Sequence, residues 1–272
     1  MMSELLESVL RLLTTYQALQ LESVLDYEKL NHYAITHHST QIEGSTLTEI
    51  ETRLLLDEQL TPQGKPLLHS LMVKDHYEAL LFTLQQAALK REISVSLAQA
   101  INANVLKSTG SIYRTLYGDI DSSKGAFRKS NVSAGTRFFV HFEKVEKLVQ
   151  QLCGSLQEKL LNAVTIEEQL LLSFDAHFDL VTIHPFYDGN GRTARLFMNF
   201  IQAFFKLPLA IIFKEQKATY FEALEESRNK EDLQYFRSFM LEQYKTMLAR
   251  EIDLHTQMKS NPRKGGGYSL VF

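Results

Sequence analysis

Apolar residues recur at intervals of three and four along most of the chain, the spacing that lines one face of a helix. Leu5, Leu6, Val9, Leu12, Leu13, Tyr16 and Leu19 predict a first amphipathic helix. A second is predicted from about Asp26 to Glu43, with Gly44 suited to stop it. Thr48 and Glu51 have the spacing of a capping box, which opens a third. The run Thr61-Pro62-Gln63-Gly64-Lys65-Pro66 reads as a loop. Beyond it, Val73, Tyr77, Leu80, Leu81 and Leu84 stripe a long helix, and a short one is predicted from Ser96 to Ser108. Further helices are predicted at about 143–160, 166–182, 192–206, 218–228 and 232–250. No repeat of fixed period is present.

Two of these helices are apolar on several sides. One carries Leu170, Leu171, Leu172, Phe174, Phe178, Leu180, Val181 and Ile183; the other carries Leu196, Phe197, Met198, Phe200, Ile201, Phe204 and Phe205. Helices without a polar face belong inside a core, so these form the expected central pair. Between Gly110 and His141 the helical period is lost. Phe127–Val132 and Arg137–His141 read as extended arms around Ser133-Ala134-Gly135-Thr136, the one strand candidate in the chain. The expected fold class is therefore all-α with a small β-hairpin.

Composition narrows the function classes. With 272 residues, 29 basic and 32 acidic, the formal charge is −3, so no global basic field exists to hold nucleic acid or an anionic membrane. A single cysteine, Cys153, excludes an internal disulfide and a multi-cysteine zinc site. The strictly apolar runs are far shorter than the about 20 residues of a membrane-spanning helix. The start, MMSELLESVLRLLTTYQ, has no basic segment or cleavage site of a signal peptide. A soluble, cytoplasmic protein is expected.

The segment joining the central helices reads HPFYDGNGRTAR, His184 to Arg195. A polar, glycine-rich loop between two buried helices needs a reason. Gly189, Asn190 and Gly191 fall where the second helix begins, and helix N-termini offer unpaired N–H groups and partial positive charge to an anion. Arg192 and Arg195 follow at i and i+3 and can clamp phosphate oxygens. Asp188 can hold a Mg2+ ion shared with those oxygens. His184 can accept a proton near neutral pH. Together these are the parts of a phosphoryl- or nucleotidyl-transfer site.

These twelve residues resemble the signature of the Fic family, HPF-x-[D/E]-G-N-G-R-x-x-R, at every fixed position. The similarity extends over roughly Leu71 to Leu241 and includes Gly125-Ala126-Phe127-Arg128 upstream. The resemblance implies a helical Fic core that transfers AMP from ATP to a hydroxyl of a target protein. It implies His184 as general base, Asp188 as the Mg2+ ligand, and Gly189, Asn190 and Gly191 as the anion nest. Arg192 and Arg195 are implied as phosphate contacts, Arg195 at the γ-phosphate, and Phe186 as the buried anchor of the loop. The hairpin at 127–141 would be the flap on which the target docks. Glycine at 191, where a phosphorylating branch carries lysine, favours nucleotidyl transfer. Phe127 and Asn102 depart from the usual residues; both are expected to bear on target choice and not on the chemistry.

A second motif, Ser39-Thr40-Gln41-Ile42-Glu43-Gly44, is similar to the inhibitory pattern [S/T]-x-x-x-E-[G/N] of the same family. Glu43, with Ser39, would pair with Arg195 and deny it to ATP, as in the subclass whose inhibitory helix precedes the core. Alone, this motif reads equally as an exposed helix end. His32, His37 and His38 lack a common face and a completing carboxylate for a metal site, His177 reads as a core histidine, and Cys153 as a buried small residue. The chain divides into an N-terminal helical region (1–70), a Fic-type core (71–250) and a tail (251–272). The reading is an autoinhibited protein adenylyltransferase. Removal of AMP by the same site, a bifunctional enzyme and a non-catalytic nucleotide-binding adaptor stay as alternatives. ATP and a protein target are the expected partners, without nucleic acid or membrane, and a homo-oligomer is left open.

Overall fold

A computed structural model describes residues 2–21, 27–135 and 137–260. Ten α-helices lie among them: α1 (Met2–Ala18), α2 (Tyr27–Ile42), α3 (Glu49–Glu58), α4 (Leu67–Ala88), α5 (Val95–Val105), α6 (Phe142–Asn162), α7 (Ile166–Ile183), α8 (Asn190–Phe204), α9 (Lys217–Asn229) and α10 (Gln234–Ser260). The expected central pair is found: α7 packs along α8, with α4 and α5 against α8 and α6 against α7. Residues 190–202 of α8 are buried except Gly191. The α1 stripe of Leu6, Val9, Leu13 and Tyr16 is buried, and the helix lies on α10. One apolar core therefore runs from Leu6 to Leu248 across the expected boundary near residue 70.

The caps follow local rules. Thr48 and Glu51 form the expected capping box on α3. Thr165 and Glu168 form another on α7, satisfying N–H groups that a helix start leaves unpaired.

Three expectations need correction. A second hairpin precedes the expected one: β1 (Ile112–Thr115) pairs antiparallel with β2 (Gly118–Asp121). Its strands are four residues long and mostly exposed, so they bury too little to leave an apolar alternation in the sequence. The expected hairpin is smaller than its predicted arms. Only β3 (Ser133–Ala134) and β4 (Arg137–Phe138) pair, Ser133 with Phe138, so residues assigned to the turn form a strand. Residues 251–260, expected in the tail, are helical. There Glu251 is buried against Tyr27 and Ile252 packs on the core, which extends α10. The remaining tail, 261–272, lies outside the described residues, as does Thr136.

α2 is the unusual element. It runs between α3, α4 and α8, and buries His32, Thr36, His37, His38, Ser39 and Thr40 together with its apolar residues. The start of the second motif, Ser39 and Thr40 with Ile42, is thus held inside the molecule, and Glu43 follows at the surface end of the helix.

Candidate active site

The loop between α7 and α8 is built by its own polar side chains. His184 ends α7 in the left-handed region (φ 54°), and its N–H donates to the Leu180 carbonyl at 3.0 Å. Such a backbone is disfavoured for a residue with a Cβ and is held only where its surroundings dictate it. Arg128 supplies that hold. Its Nε donates to the His184 carbonyl at 2.8 Å, its Nη groups to the carbonyls of Ser130 and Val140, and its N–H to the Pro185 carbonyl. Phe186 is buried against Phe127, ring centroids 5.4 Å apart. Asn190 exchanges two 2.9 Å hydrogen bonds with the Phe186 backbone, so its side chain closes the loop.

Asn102 was expected to stand apart from the chemistry. Instead, its Nδ2, buried in α5, donates to the Asp188 carbonyl (3.1 Å) and to Thr193 Oγ1 (3.0 Å). Phe127 likewise supports the loop through Phe186. Gly189 takes φ 76° as the α8 N-cap, and a Cβ there would press on Asn102 Nδ2.

The chemistry-bearing groups converge at the start of α8. The His184 ring stacks on Phe139 of the flap, with centroids 3.7 Å apart. Burial, with a smaller push from Arg128 and Arg137, lowers its pKa to about 4, so the imidazole is neutral at pH 7. Asp188 Oδ1 accepts from its neighbour's N–H, that of Gly189, at 2.5 Å and lies 3.4 Å from Arg192 Nη2. Its side chain stays half exposed. Arg192 and Arg195 are almost fully buried, and Arg192 Nε and Nη1 and Arg195 Nη1 have no hydrogen-bond partner. Buried guanidinium N–H groups without acceptors are costly, and an anion at the amide nest would satisfy them.

Across the nest stands the second motif. Arg195 Nη2 contacts Glu43 Oε1 at 2.6 Å and the Ser39 carbonyl at 3.0 Å, while its Nε donates to Ser39 Oγ at 2.8 Å. Burial alone would raise the Glu43 carboxyl, but Arg195 and then Arg192 outweigh it and hold it below the usual range. A Cβ added to Gly191 would collide with Glu43 Oε1. Glycine at 191 thus gives the carboxylate room to reach the nest. The Tyr220 hydroxyl, 3.0 Å from His177 Nε2, faces the same guanidinium.

The donor set suits Mg2+ shared with phosphates: one accessible carboxylate, that of Asp188, beside phosphate-seeking groups. Among the described residues no group of three or more His, Cys, Asp or Glu side chains could hold a metal by itself. Nor is any of their helices long and apolar enough to cross a membrane. Cys153 is buried, its thiol pushed up to about 12 by burial.

The sequence pointed to Asn102 and Arg128 without showing that they tie the loop, and it gave no direct sign of Tyr113. The Tyr113 ring stacks on Tyr187 at 4.3 Å, and Tyr187 bonds Ser130 and the Lys129 N–H. An aromatic at the variable position of the loop was the only available signal.

Residues 92–202 match the Fic/DOC family. Over 216 residues the chain is 31% identical to a protein named "Protein adenylyltransferase Fic" from Drosophila erecta, covering 78% of this chain and 40% of that protein. It thus spans about two fifths of the length of the curated relatives it matches. Its fold is that of a Fic domain containing signaling protein from Bacteroides thetaiotaomicron (TM-score 0.79, 21% identity, 92% and 97% of the two chains). It is also that of Fic-1, residues 134–508, from C. elegans (TM-score 0.77, 24% identity, 96% and 73%). The loop is complete from His184 to Arg195, and the segment that holds it, from α5 to α8, is similar to the Fic/DOC family.

Proposed function

We propose that this protein is an adenylyltransferase that moves AMP from ATP to a hydroxyl of a protein target and holds itself inactive through Glu43. The observation that carries the reading is the set of buried, unpaired guanidinium donors on Arg192 and Arg195 at the α8 amide nest, beside a neutral His184. These groups bind and orient a polyphosphate. His184 takes the proton of the target hydroxyl as its oxygen bonds to the α-phosphorus. The bond from that phosphorus to the β-phosphate oxygen breaks, and pyrophosphate leaves. A neutral imidazole is free to accept that proton, and a polyanion beside it raises its basicity. Mg2+, held at Asp188, supplies charge neutralisation to the phosphates when bound.

Glu43 opposes this chemistry. Its carboxylate takes up Arg195 and brings negative charge to the nest that phosphate would fill. A charge-assisted hydrogen bond contributes about 1.5–3 kcal/mol, which sets relief at about tenfold to a few hundredfold. The test is self-labelling with labelled ATP and Mg2+. Wild type is expected to be nearly silent, Glu43→Gly active, Glu43→Asp less so, and Glu43→Gly with Arg195→Ala silent. EDTA should abolish labelling by Glu43→Gly. Equal labelling of wild type and Glu43→Gly at saturating ATP, both folded, would sink the inhibitory reading.

A further inference from the structure

Glu43 supplies only one of the contacts that hold Arg195 to α2. Ser39, one helical turn earlier on the same face, supplies two, from its hydroxyl and its carbonyl. Ser39 Oγ is in turn 2.6 Å from Nε2 of His76, on α4. A guanidinium only donates, so Ser39 Oγ accepts from Arg195 Nε. Between Ser39 Oγ and a neutral His76 either the hydroxyl or Nε2 donates, and the bond ties the hydroxyl to α4 in both cases. Burial, and then the positive charges of Arg195 and Arg192, push the His76 pKa down to about 3, in keeping with that state. His76 is 0% and Ser39 4% exposed, so water does not replace either partner.

We propose that His76 is a positioning residue for autoinhibition: through its hydrogen bond to Ser39 Oγ it holds that oxygen against Arg195 Nε and so seats the Glu43 end of α2 against the phosphate site. The inference rests on the reading of Glu43 as inhibitor. His76 lies outside both sequence motifs, about 110 residues before the loop that begins at His184. Without His76 the serine side chain is free to rotate and to bond a carbonyl of the preceding helical turn, as helical serines do. Its oxygen is then no longer held against Arg195, and the carboxylate one turn later must hold the guanidinium with less support. The Ser39 hydroxyl holds Arg195 at Nε and leaves Nη1 open to phosphate, whereas Glu43 brings the competing charge, so loss of the His76 contact acts through Glu43 and has little to act on once Glu43 is gone.

The test is the affinity of the full chain for MgATP, read by calorimetry in a double-mutant cycle. His76→Leu removes the hydrogen-bond partner of Ser39 and is expected to tighten binding by about threefold to thirtyfold. His76→Gln places an amide oxygen near the former Nε2 and should stay within about twofold of wild type. In the Glu43→Gly background, which itself binds more tightly than wild type, His76→Leu should change affinity by less than about twofold. Wild-type affinity in His76→Leu, or the same tightening with and without Glu43, overturns the proposal. Should His76→Leu fail to fold, Ser39→Ala removes the same hydroxyl and carries the same expectation. Wild-type affinity in Glu43→Gly overturns the inhibitory reading itself. That outcome is distinct from the failure of His76 alone, in which Glu43→Gly tightens binding and His76→Leu does not.

Discussion

His184 illustrates how one residue is prepared by its neighbours. The Arg128 clamp holds its backbone in a disfavoured region, and Phe139 covers one ring face. The ring has little freedom to lose when a hydroxyl arrives, which is where positioning lowers a barrier. His184→Ala should reduce transfer by about 10²–10⁴-fold, the range typical of a lost general base. ATP binding in the Glu43→Gly background should persist, because the phosphate donors lie on α8. Undiminished transfer in that variant would remove His184 from the chemistry. Arg195 shows the complementary case: a single guanidinium is surrounded by Ser39, Glu43, Tyr220 and, one bond further, His76 and His177. Burial, and then this cation, keep both imidazoles neutral, so the guanidinium carries the positive charge of the cluster.

The elements that position the site differ in how they are held. α8 is placed by apolar packing against α7, α4 and α5, whereas the loop before it is tied by polar side chains from α5 and the flap. Asn102 makes the α5 tie with two hydrogen bonds from one amide nitrogen. Asn102→Ala should leave the Asp188 carbonyl and Thr193 hydroxyl with one partner fewer and destabilise the fold by about 1–3 kcal/mol. It should also slow transfer by Glu43→Gly, because the loop no longer holds Asp188 and the nest in register. Urea denaturation and self-labelling read the two effects. An unchanged midpoint and rate would show that the loop holds itself. The two hairpins flank this loop, β1–β2 through the Tyr113–Tyr187 stack and β3–β4 through Phe139. Their exposed Leu116, Tyr117 and Phe138 extend apolar surface on either side of the base.

Across the whole molecule, burial of histidine sets the response to acid. His37, His76 and His177 are lowered to about 3 and His38 to about 4, each chiefly by burial. Lys214 and Arg250 add to this at His38, and Arg195 at His76 and His177. An unfolded chain takes up protons on these rings below pH 6.5 while the folded one does not. Their stabilisation is therefore complete above that pH and is lost progressively as pH falls towards 4. Each contributes a loss of up to about 2 kcal/mol between pH 7 and 5. Asp179 and Glu251, raised by burial, act in the opposite direction but are fewer. The urea midpoint should fall from pH 7 to 5, and a constant or rising midpoint would contradict this balance.

The amino-acid sequence determined the parts that depend on neighbours along the chain. Period and caps located the helices, because a helix is set by residues three and four apart. The loop from His184 to Arg195 was legible whole, because its chemistry lies within twelve consecutive positions at a helix start. The inhibitory motif was legible as a pattern but not as a contact: Glu43 and Arg195 lie 152 positions apart, and packing of α2 against α8 brings them together. The same packing decided that His37, Ser39 and Thr40 are interior. No periodicity announces this, since polar residues are buried wherever partners from other elements satisfy them. Arg128, Asn102 and His76 became meaningful only as tertiary contacts, and the β1–β2 hairpin escaped notice because its strands are too short and exposed to imprint a pattern. What depends on chain-local geometry is written in the sequence; what depends on which distant polar groups meet in a dry interior is decided by the folded whole.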